Sequence, residues 1–297
     1  MARAEGERGR VRINQLPLFE SVEQRGPRRY GDLLTASLNR KGVLDVDVVK
    51  GCSAGMRAYP RTGCYGACYA ASAARARGFD FSVAVVRTVQ SAVQKSAIER
   101  AVMVAPYGFF RIGVMGEPSL AWEDVVRTVE WLSVFARPVV VTKHWIRATN
   151  DQLRRLARVG TVLNTSVSAL DTTAQLAHRI TEFRRFVALG GDSVLRVVSC
   201  AFNREHPEGS RMALVQDELF RFRPIIDNPL RISRGHSLVV SRMVRLNVVK
   251  DLATYRTVSL FNPSTYLGHC SHCPEACGLA LVTPHYLPMP QQGELPL

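Results

Sequence analysis

Short apolar runs alternate with amphipathic stretches along most of this amino-acid sequence. Five segments contain short apolar runs that predict strands: VLDVDVVKGC, GFFRIGVMGEPS, RPVVVTKHW, TVLNTSVSALD and SVLRVVSCAFN. The first of them is rich in β-branched residues, which is typical of a buried strand. Other segments have spacing typical of helices: SAARARGF, SVAVVRTVQSAVQKSAIERAV, WEDVVRTVEWLSVFA, TNDQLRRLARVG and TTAQLAHRITEFRRFVALG. Two later segments, SLVVSRMVRLN and RTVSLFN, predict additional strands.

Strands that alternate with helices predict a parallel sheet, because a helical crossover returns each strand in the same direction. With 297 residues, we expect an α/β fold built as a partial or full TIM-type (β/α) barrel with a cysteine-rich C-terminal extension. The expected organisation is a flexible basic arm over residues 1–40, the barrel over 41–262 and the extension over 263–297. In such folds the functional residues follow the strands.

The chain carries a formal net charge of +14, with arginine the dominant basic residue. This charge favours a polyanionic partner, most simply nucleic acid, although a preference for arginine codons in a GC-rich genome also produces it. No apolar segment approaches the roughly 18 residues of a membrane span, and the charged N-terminus does not resemble a signal peptide. We therefore expect a cytoplasmic protein without a membrane partner.

Six of the seven cysteines fall in two tight clusters, which a reducing compartment favours as metal ligands. Cys52, Cys64 and Cys68 are spaced C-x11-C-x3-C, and Cys270, Cys273 and Cys277 are spaced C-x2-C-x3-C. Cys200 stands alone and is expected to be a buried strand residue or, as a minority alternative, a fourth ligand. No histidine precedes residue 144, so a zinc ion at the first cluster needs a distant fourth ligand.

Polar residues follow each predicted strand in turn. Met115-Gly116-Glu117-Pro118 follows the second strand, and Lys143 and His144 follow the third, where they suit substrate phosphate binding or proton transfer. The fourth strand carries Asn164, Thr165, Ser166, Ser168 and Asp171, and the fifth carries Arg196, Ser199, Cys200 and Asn203. Asp171 is interpreted as the N-cap of the helix that follows it.

A strand ending in Gly-Cys, three cysteines with Tyr69-Ala70 after the last, and a Gly-Glu-Pro loop after the second strand resemble the radical S-adenosylmethionine (SAM) enzymes. The resemblance covers roughly residues 43–203. The spacing differs from the usual C-x3-C-x2-C, and Met115 replaces the first glycine of a G-G-E-P loop.

The resemblance implies that Cys52, Cys64 and Cys68 hold a [4Fe-4S] cluster whose fourth iron binds SAM. It implies that Gly116, Glu117 and Pro118 belong to the loop that reads the SAM amino group. Ser166 and Ser168 suit contacts to the SAM ribose or carboxylate, or are ordinary strand serines. Lys143 and His144 are the candidate catalytic residues. The implied activity is reductive cleavage of SAM to a 5′-deoxyadenosyl radical with electrons from a reductant protein, and the charge suggests a DNA or RNA base as substrate.

The C-terminal segment GHCSHCPEACG contains His269 and His272 between its cysteines, with His285 downstream. It predicts a second iron–sulfur cluster or a zinc site completed by a histidine. A third interpretation is that this segment only closes the open end of the barrel.

Two alternative functions remain open. A zinc-containing barrel that resembles the tRNA-guanine transglycosylases would exchange bases in DNA or tRNA, with Asp171 or Asp192 as nucleophile. A non-enzymatic zinc protein that binds nucleic acid is the other. Near the N-terminus, Gln15-Leu16-Pro17-Leu18-Phe19 resembles the peptide that binds the bacterial sliding clamp, or it packs against the barrel floor.

Overall fold

The computed structural model describes residues 28–58, 68–245, 248–251 and 257–283. The clamp-like peptide Gln15–Phe19, Cys64 and His285 lie outside these residues. No helix in the described part of the chain has both the length and the apolar character needed to cross a membrane.

The strands and helices alternate along most of the described chain. The strands are β1 (Arg28–Leu33), β2 (Ala36–Leu38), β3 (Leu44–Val46), β4 (Val49–Lys50), β5 (Ala84–Thr88), β6 (Phe109–Ile112), β7 (Arg137–Thr142), β8 (Val162–Val167), β9 (Asp192–Val197), β10 (Ile225–Asp227), β11 (Val248–Lys250) and β12 (Thr257–Ser259). The helices are α1 (Ser53–Ala58), α2 (Tyr69–Arg75), α3 (Ala92–Met103), α4 (Trp122–Leu132), α5 (Asn150–Arg158), α6 (Thr173–Ala188), α7 (Pro207–Leu219), α8 (Ser237–Val240) and α9 (Leu279–Val282).

A mostly parallel sheet of seven strands, in the order β10-β9-β8-β7-β6-β3-β2, forms the centre of the described residues. All neighbours pair in parallel except β2 and β3, which are antiparallel. Within these residues β10 and β2 lie at the two edges. A mixed α/β fold with a parallel sheet, as predicted, is confirmed.

Both faces of this sheet are covered, which explains why its strands are apolar at successive positions. On one face Phe110, Val140 and Leu163 pack against α4 and α5. On the opposite face, which we call the inner face, Phe109, Val139, Val162 and Val194 pack against the C-terminal segment. Two helices of the outer layer, α5 and α6, each begin with a capping box, Thr149 with Gln152 and Thr172 with Gln175.

The first predicted strand is divided between two sheets. Its first half, β3, pairs with β6, whereas its second half, β4, joins the three-stranded sheet β1-β5-β4. Residues 28–38 of the predicted mobile arm form β1 and β2. The chain therefore changes sheets at Asp47 and Val48, immediately before the cysteine loop.

Two predictions of secondary structure are wrong. The segment from Ser82 to Val102 was expected to be helical throughout, but β5 precedes α3, because Ser91 caps that helix by accepting from the Gln94 amide. The segment SLVVSRMVRLN was expected to be a strand. It begins with the short helix α8, because the His236 ring accepts from the Leu238 amide.

Candidate active site

Cys52 and Cys68 lie close to each other in the fold, each at the start of a short helix. Cys52 follows β4 and precedes α1, and its amide donates to the Phe81 carbonyl at 2.8 Å. Cys68 precedes α2. Both cysteines belong to one small apolar cluster with Phe81 and the alanines of α2. Cys64, the third cysteine of this group, lies outside the described residues.

Backbone hydrogen bonds join the cysteine loop to the Gly-Glu-Pro loop. The Gly51 amide donates to the Met115 carbonyl at 3.0 Å, and the Glu117 amide donates to the Gly51 carbonyl at 3.1 Å. Gly51 and Gly116 face each other in an isolated parallel bridge. A Cβ atom on Gly116 would lie 2.1 Å from the Val49 carbonyl oxygen, and one on Gly51 would lie 2.2 Å from that of Val83. Only glycine permits this approach.

A buried carboxylate that the sequence did not single out holds the same loop. Asp47 accepts hydrogen bonds from the amides of Gly113, Val114 and Met115, at 2.8 to 2.9 Å. Burial raises the pKa of Asp47 to about 6, although the three amide donors act to lower it. Three donors on one carboxylate fix the backbone from residue 113 to 115 in a single conformation.

Glu117 ties this loop to β7. Its carboxylate is buried and accepts from the Ser119 amide, the Thr142 hydroxyl and the Lys143 amide, the last at 3.0 Å. Pro118 is also buried and begins the short 3-10 turn that Glu117 caps. Glu117 therefore has a structural function as a turn cap, in addition to its position at the cavity described next.

A cavity of about 180 Å³ lies at the carboxyl ends of β6 to β10 and brings the two loops together. We call it the first cavity. Its wall includes Cys52, Cys68, Gly113, Gly116, Glu117, Lys143, Ser166 and Arg196. Apolar side chains, among them Phe81, Val141, Val198 and Leu230, line the rest of the wall. Most of the residues predicted to act on SAM therefore line one cavity.

Comparisons with known proteins give no match. No protein-family model matches the chain, and no curated protein or solved structure is significantly similar to it.

Lys143 points into the first cavity from a buried ionic cluster. Its Nζ lies 3.2 Å from Asp171 Oδ1, and Arg179 Nη1 lies 2.6 Å from Asp171 Oδ2. Burial acts to raise the pKa of Asp171, but the charges of Arg179 and Lys143 hold it below its ordinary value. The interpretation of Asp171 as a helix cap is wrong. Thr172 caps α6, and Asp171 fixes the Lys143 ammonium instead.

His144, which was expected to act beside Lys143, does not line either of the cavities described here. Its side chain is fully buried, and its Nε2 lies 3.1 Å from the Thr165 hydroxyl. Burial is the main cause that lowers its pKa well below 6.5, so the ring is neutral at physiological pH. The structure thus places His144 in the protein interior, where proton transfer to a substrate in the cavity is not available.

The two predicted serines, Ser166 in β8 and Ser168 just after it, also differ in whether they line the first cavity. Ser166 lines the first cavity, whereas Ser168 is fully buried and donates to the Val198 carbonyl at 3.0 Å. The contact of Ser168 to SAM stays a prediction; its hydroxyl is bonded to the backbone just after β9 and does not line the first cavity.

The aspartates expected of a base-exchange enzyme lie away from both cavities. Asp171 is buried in the ion pairs with Lys143 and Arg179. Asp192 begins β9, at the amino end of the strand, and pairs with Arg137. Neither carboxylate is placed to attack a substrate in the first cavity.

A larger cavity of about 520 Å³ adjoins the first, and the three C-terminal cysteines line it. We call it the second cavity. Arg111 Nη1 lies 3.9 Å from Cys277 Sγ, and burial, with a contribution from Cys277, raises the pKa of Cys270 to about 12. Among the described residues, no three Cys, His, Asp or Glu side chains are arranged to hold a metal ion.

Cys200 is buried among apolar residues of β9 and α7 and lines neither cavity.

Residues after β10 complete both cavities and were not predicted. Asn228, Pro229 and Arg231 line the two cavities, as do Tyr69 and Arg196. The short run Ile225–Asp227 followed by Asn-Pro is a strand-and-turn signal that was available in the sequence. It is only three residues long, which is too short for a periodic pattern.

Proposed function

We propose that this chain is a radical SAM enzyme. The observation that carries the proposal is the direct backbone pairing between the cysteine loop and the Gly-Glu-Pro loop at Gly51 and Gly116, over a cavity lined by Cys52, Cys68 and Glu117. The two sequence motifs that suggested SAM chemistry are separated by more than 40 residues and nevertheless meet at one cavity. We further propose that the parallel sheet is part of a TIM-type barrel.

Cys52 and Cys68, together with Cys64, are the residues that would hold a [4Fe-4S] cluster. Both described thiols lie at the cavity wall in an apolar cluster, an environment that suits an iron–sulfur cluster shielded from water. When bound, such a cluster supplies one electron to SAM, which yields methionine and a 5′-deoxyadenosyl radical that abstracts hydrogen from a substrate. A second iron–sulfur cluster or zinc at Cys270, Cys273 and Cys277 remains a prediction.

The chain's own side chains position the reactants and exclude water. Asp171 holds the Lys143 ammonium at the cavity wall, where it is placed to bind an anionic or carbonyl oxygen. Ser166 offers a hydroxyl on the neighbouring strand. Phe81, Val141 and Leu230 form apolar parts of the wall, which protect a reactive radical from solvent.

A nucleic acid base is the substrate class that the chain's charge supports best. The formal net charge is +14, and arginines line the second cavity beside the first. A base inside a duplex would have to be flipped out to reach a cavity of this kind. Delivery through a sliding clamp at Gln15–Phe19 and electron supply from a reductant protein are further parts of this proposal.

Reductive cleavage of SAM tests the proposed activity. The protein is purified and reconstituted without oxygen, reduced with dithionite and incubated with SAM, and 5′-deoxyadenosine is measured by chromatography. We expect 5′-deoxyadenosine from the natural protein and from Cys200→Ala, whose thiol lies outside the cavity, but none above background from Cys68→Ala. Absence of product from fully reconstituted natural protein contradicts the proposal.

A further inference from the structure

The first and second cavities share one wall. Tyr69, Val114, Arg196, Asn228, Pro229 and Arg231 line both. The two cavities are therefore adjacent, and a ligand bound at these residues contacts both. We call these six residues the junction.

Arg196, a residue of the main sheet, places its positively charged guanidinium at the junction. It lies on β9, and its guanidinium donates to the Asn228 side-chain oxygen at 3.2 Å. Within the described part of the chain Arg196 forms no ion pair with a carboxylate. A guanidinium has five N–H donors, so Arg196 retains donors for a ligand.

Arg231 lies at the same wall and is held in place. Its guanidinium lies 5.4 Å from the centre of the Tyr69 ring, and its Nη2 lies 3.9 Å from Asp251 Oδ2. Asp251 makes a shorter contact of 2.7 Å with Lys41. The Tyr69 hydroxyl donates to the Val114 carbonyl at 2.7 Å, which fixes the ring. The Tyr69 ring that contacts Arg231 is thus held in place.

The second cavity carries more basic than acidic side chains. Its basic lining residues are Arg40, Lys41, Arg77, Arg111, Arg196 and Arg231, and its acidic ones are Asp45, Asp227, Asp251 and Glu275. Two of the four carboxylates are already in ion pairs, Asp45 with Arg111 and Asp251 with Lys41. For Arg40 and Arg77, no ion pair occurs within the residues that the structure describes, and both are exposed at the cavity. The balance favours an anion.

We infer that the junction binds a phosphate group of a nucleotide substrate through Arg196 and Arg231, so that the attached nucleoside faces the first cavity. This inference rests on the proposed function and names the group by which the substrate is held. Arginine suits phosphate because its planar fork makes paired, charge-assisted hydrogen bonds. The second cavity, at about 520 Å³, falls within the roughly 300–1,000 Å³ typical of ligand pockets.

The test measures how the anaerobically reconstituted full chain binds a fluorescein-labelled single-stranded DNA 12-mer, by fluorescence anisotropy at several salt concentrations. We expect Arg196→Gln to weaken binding roughly 10- to 100-fold, as lost hydrogen bonds to a charged group predict. The slope of log affinity against log salt should fall by about one. Arg196→Lys keeps the charge but lacks the planar guanidinium, so its DNA affinity should lie between that of the natural protein and that of Arg196→Gln.

Arg154→Gln is the matched control, because Arg154 is an exposed arginine on α5 that makes no ion pair within the described residues. It removes the same charge far from the junction and should change affinity by less than about twofold. Equal losses in Arg196→Gln and Arg154→Gln, or no loss in Arg196→Gln, overturn the phosphate site. Competition by an unlabelled nucleoside 5′-phosphate identifies a free nucleotide as the source of the phosphate, and its absence identifies the polymer.

The same variants separate this inference from the proposed function. SAM binding and cleavage are measured without nucleic acid. We expect Arg196→Gln to weaken DNA binding more than SAM binding; the reverse order assigns Arg196 to the SAM carboxylate and overturns the inference. If the natural protein fails to cleave SAM while Arg196→Gln still loses DNA affinity, the phosphate site stands and the proposed function fails.

Discussion

At the scale of single residues, the candidate site depends on buried carboxylates that hold other groups in place. Asp47 fixes three amides of the Gly-Glu-Pro loop, Glu117 ties that loop to β7, and Asp171 fixes Lys143. Each carboxylate is buried and acts on the cavity through the group that it holds. Their effects are therefore measurable both in stability and in ligand binding.

Asp47 should give the protein a recognisable dependence of stability on pH. Burial raises its pKa from an ordinary 3.8 to about 6, so the folded protein binds this proton more tightly than the unfolded chain. The free energy of unfolding should then fall as pH rises from about 4 to above 6, by roughly 3 kcal/mol. Asp47→Asn lacks this titration. Urea unfolding of both proteins between pH 4 and 7.5 checks this, and parallel pH profiles contradict it.

Asp171 is the partner of two buried cations, and its removal should be costly. Asp171→Asn leaves Lys143 and Arg179 without their carboxylate, which predicts a loss of about 3–5 kcal/mol in the free energy of unfolding. Asp151→Asn is the control, because Asp151 is exposed and makes a long contact of 3.8 Å with Arg155. This substitution should lower the free energy of unfolding by less than about 0.5 kcal/mol. Similar values for the two variants in urea unfolding rule out the buried cluster as described.

The sequence located the strand ends but not the directions of their side chains. Lys143 and His144 both follow β7, yet only Lys143 lines the first cavity, and Ser166 and Ser168 differ in the same way. Residues in an extended run alternate in direction, but where a strand ends the alternation depends on local turns such as the positive φ of His144. Asp47 was missed because an aspartate inside an apolar run carries no signal of its loop partner.

At the scale of elements, the central feature is the docking of two loops that follow different strands. β3 and β6 are neighbours in the main sheet, so their following loops leave side by side, and Gly51 and Gly116 allow the backbones to pair. The longer strands β6 to β9 were predictable because each is four to six residues long and carries several apolar side chains. β4 and β10 are too short for a pattern, and the change of sheets at Asp47 depends on pairing that local sequence does not record.

Gly116→Ala should separate the two loops. Its Cβ atom would lie 2.1 Å from the Val49 carbonyl oxygen, so the backbone must move. We expect the variant to lose SAM binding by tenfold or more in equilibrium dialysis and to unfold at lower urea concentration. Gly235→Ala is the control, since a Cβ there meets no atom within 4 Å. Unchanged SAM affinity in a folded Gly116→Ala protein contradicts the assigned role of the loop.

At the scale of the whole molecule, the cysteine-rich C-terminal segment covers the inner face of the sheet. Ala276 and Leu279 are buried against Phe109, Val139, Val162 and Val194, and the Asn164 side chain donates to the Cys277 carbonyl at 3.0 Å. The described part of this segment is thus part of the core. The cysteine spacing alone gave no indication of the surface that it covers.

Leu279 and Leu281 offer a matched test of this packing on one short helix. Leu279 is 0% exposed and Leu281 is 40% exposed. Leu279→Ala should lower the free energy of unfolding by about 2–5 kcal/mol, because it leaves a void against the sheet, whereas Leu281→Ala should cost less than about 1 kcal/mol. Equal effects of the two substitutions in urea unfolding contradict the packing of the extension against the sheet.

Iron and acid-labile sulfide content and a visible spectrum show whether Cys52 and Cys68 hold an iron–sulfur cluster. The natural protein, Cys52→Ala/Cys68→Ala and the control Cys200→Ala are purified without oxygen and reconstituted with iron and sulfide. We expect a brown natural protein and a brown control with broad absorption near ~400 nm, and about four fewer irons per chain in the double variant. A colourless natural protein that binds only zinc after this treatment contradicts it.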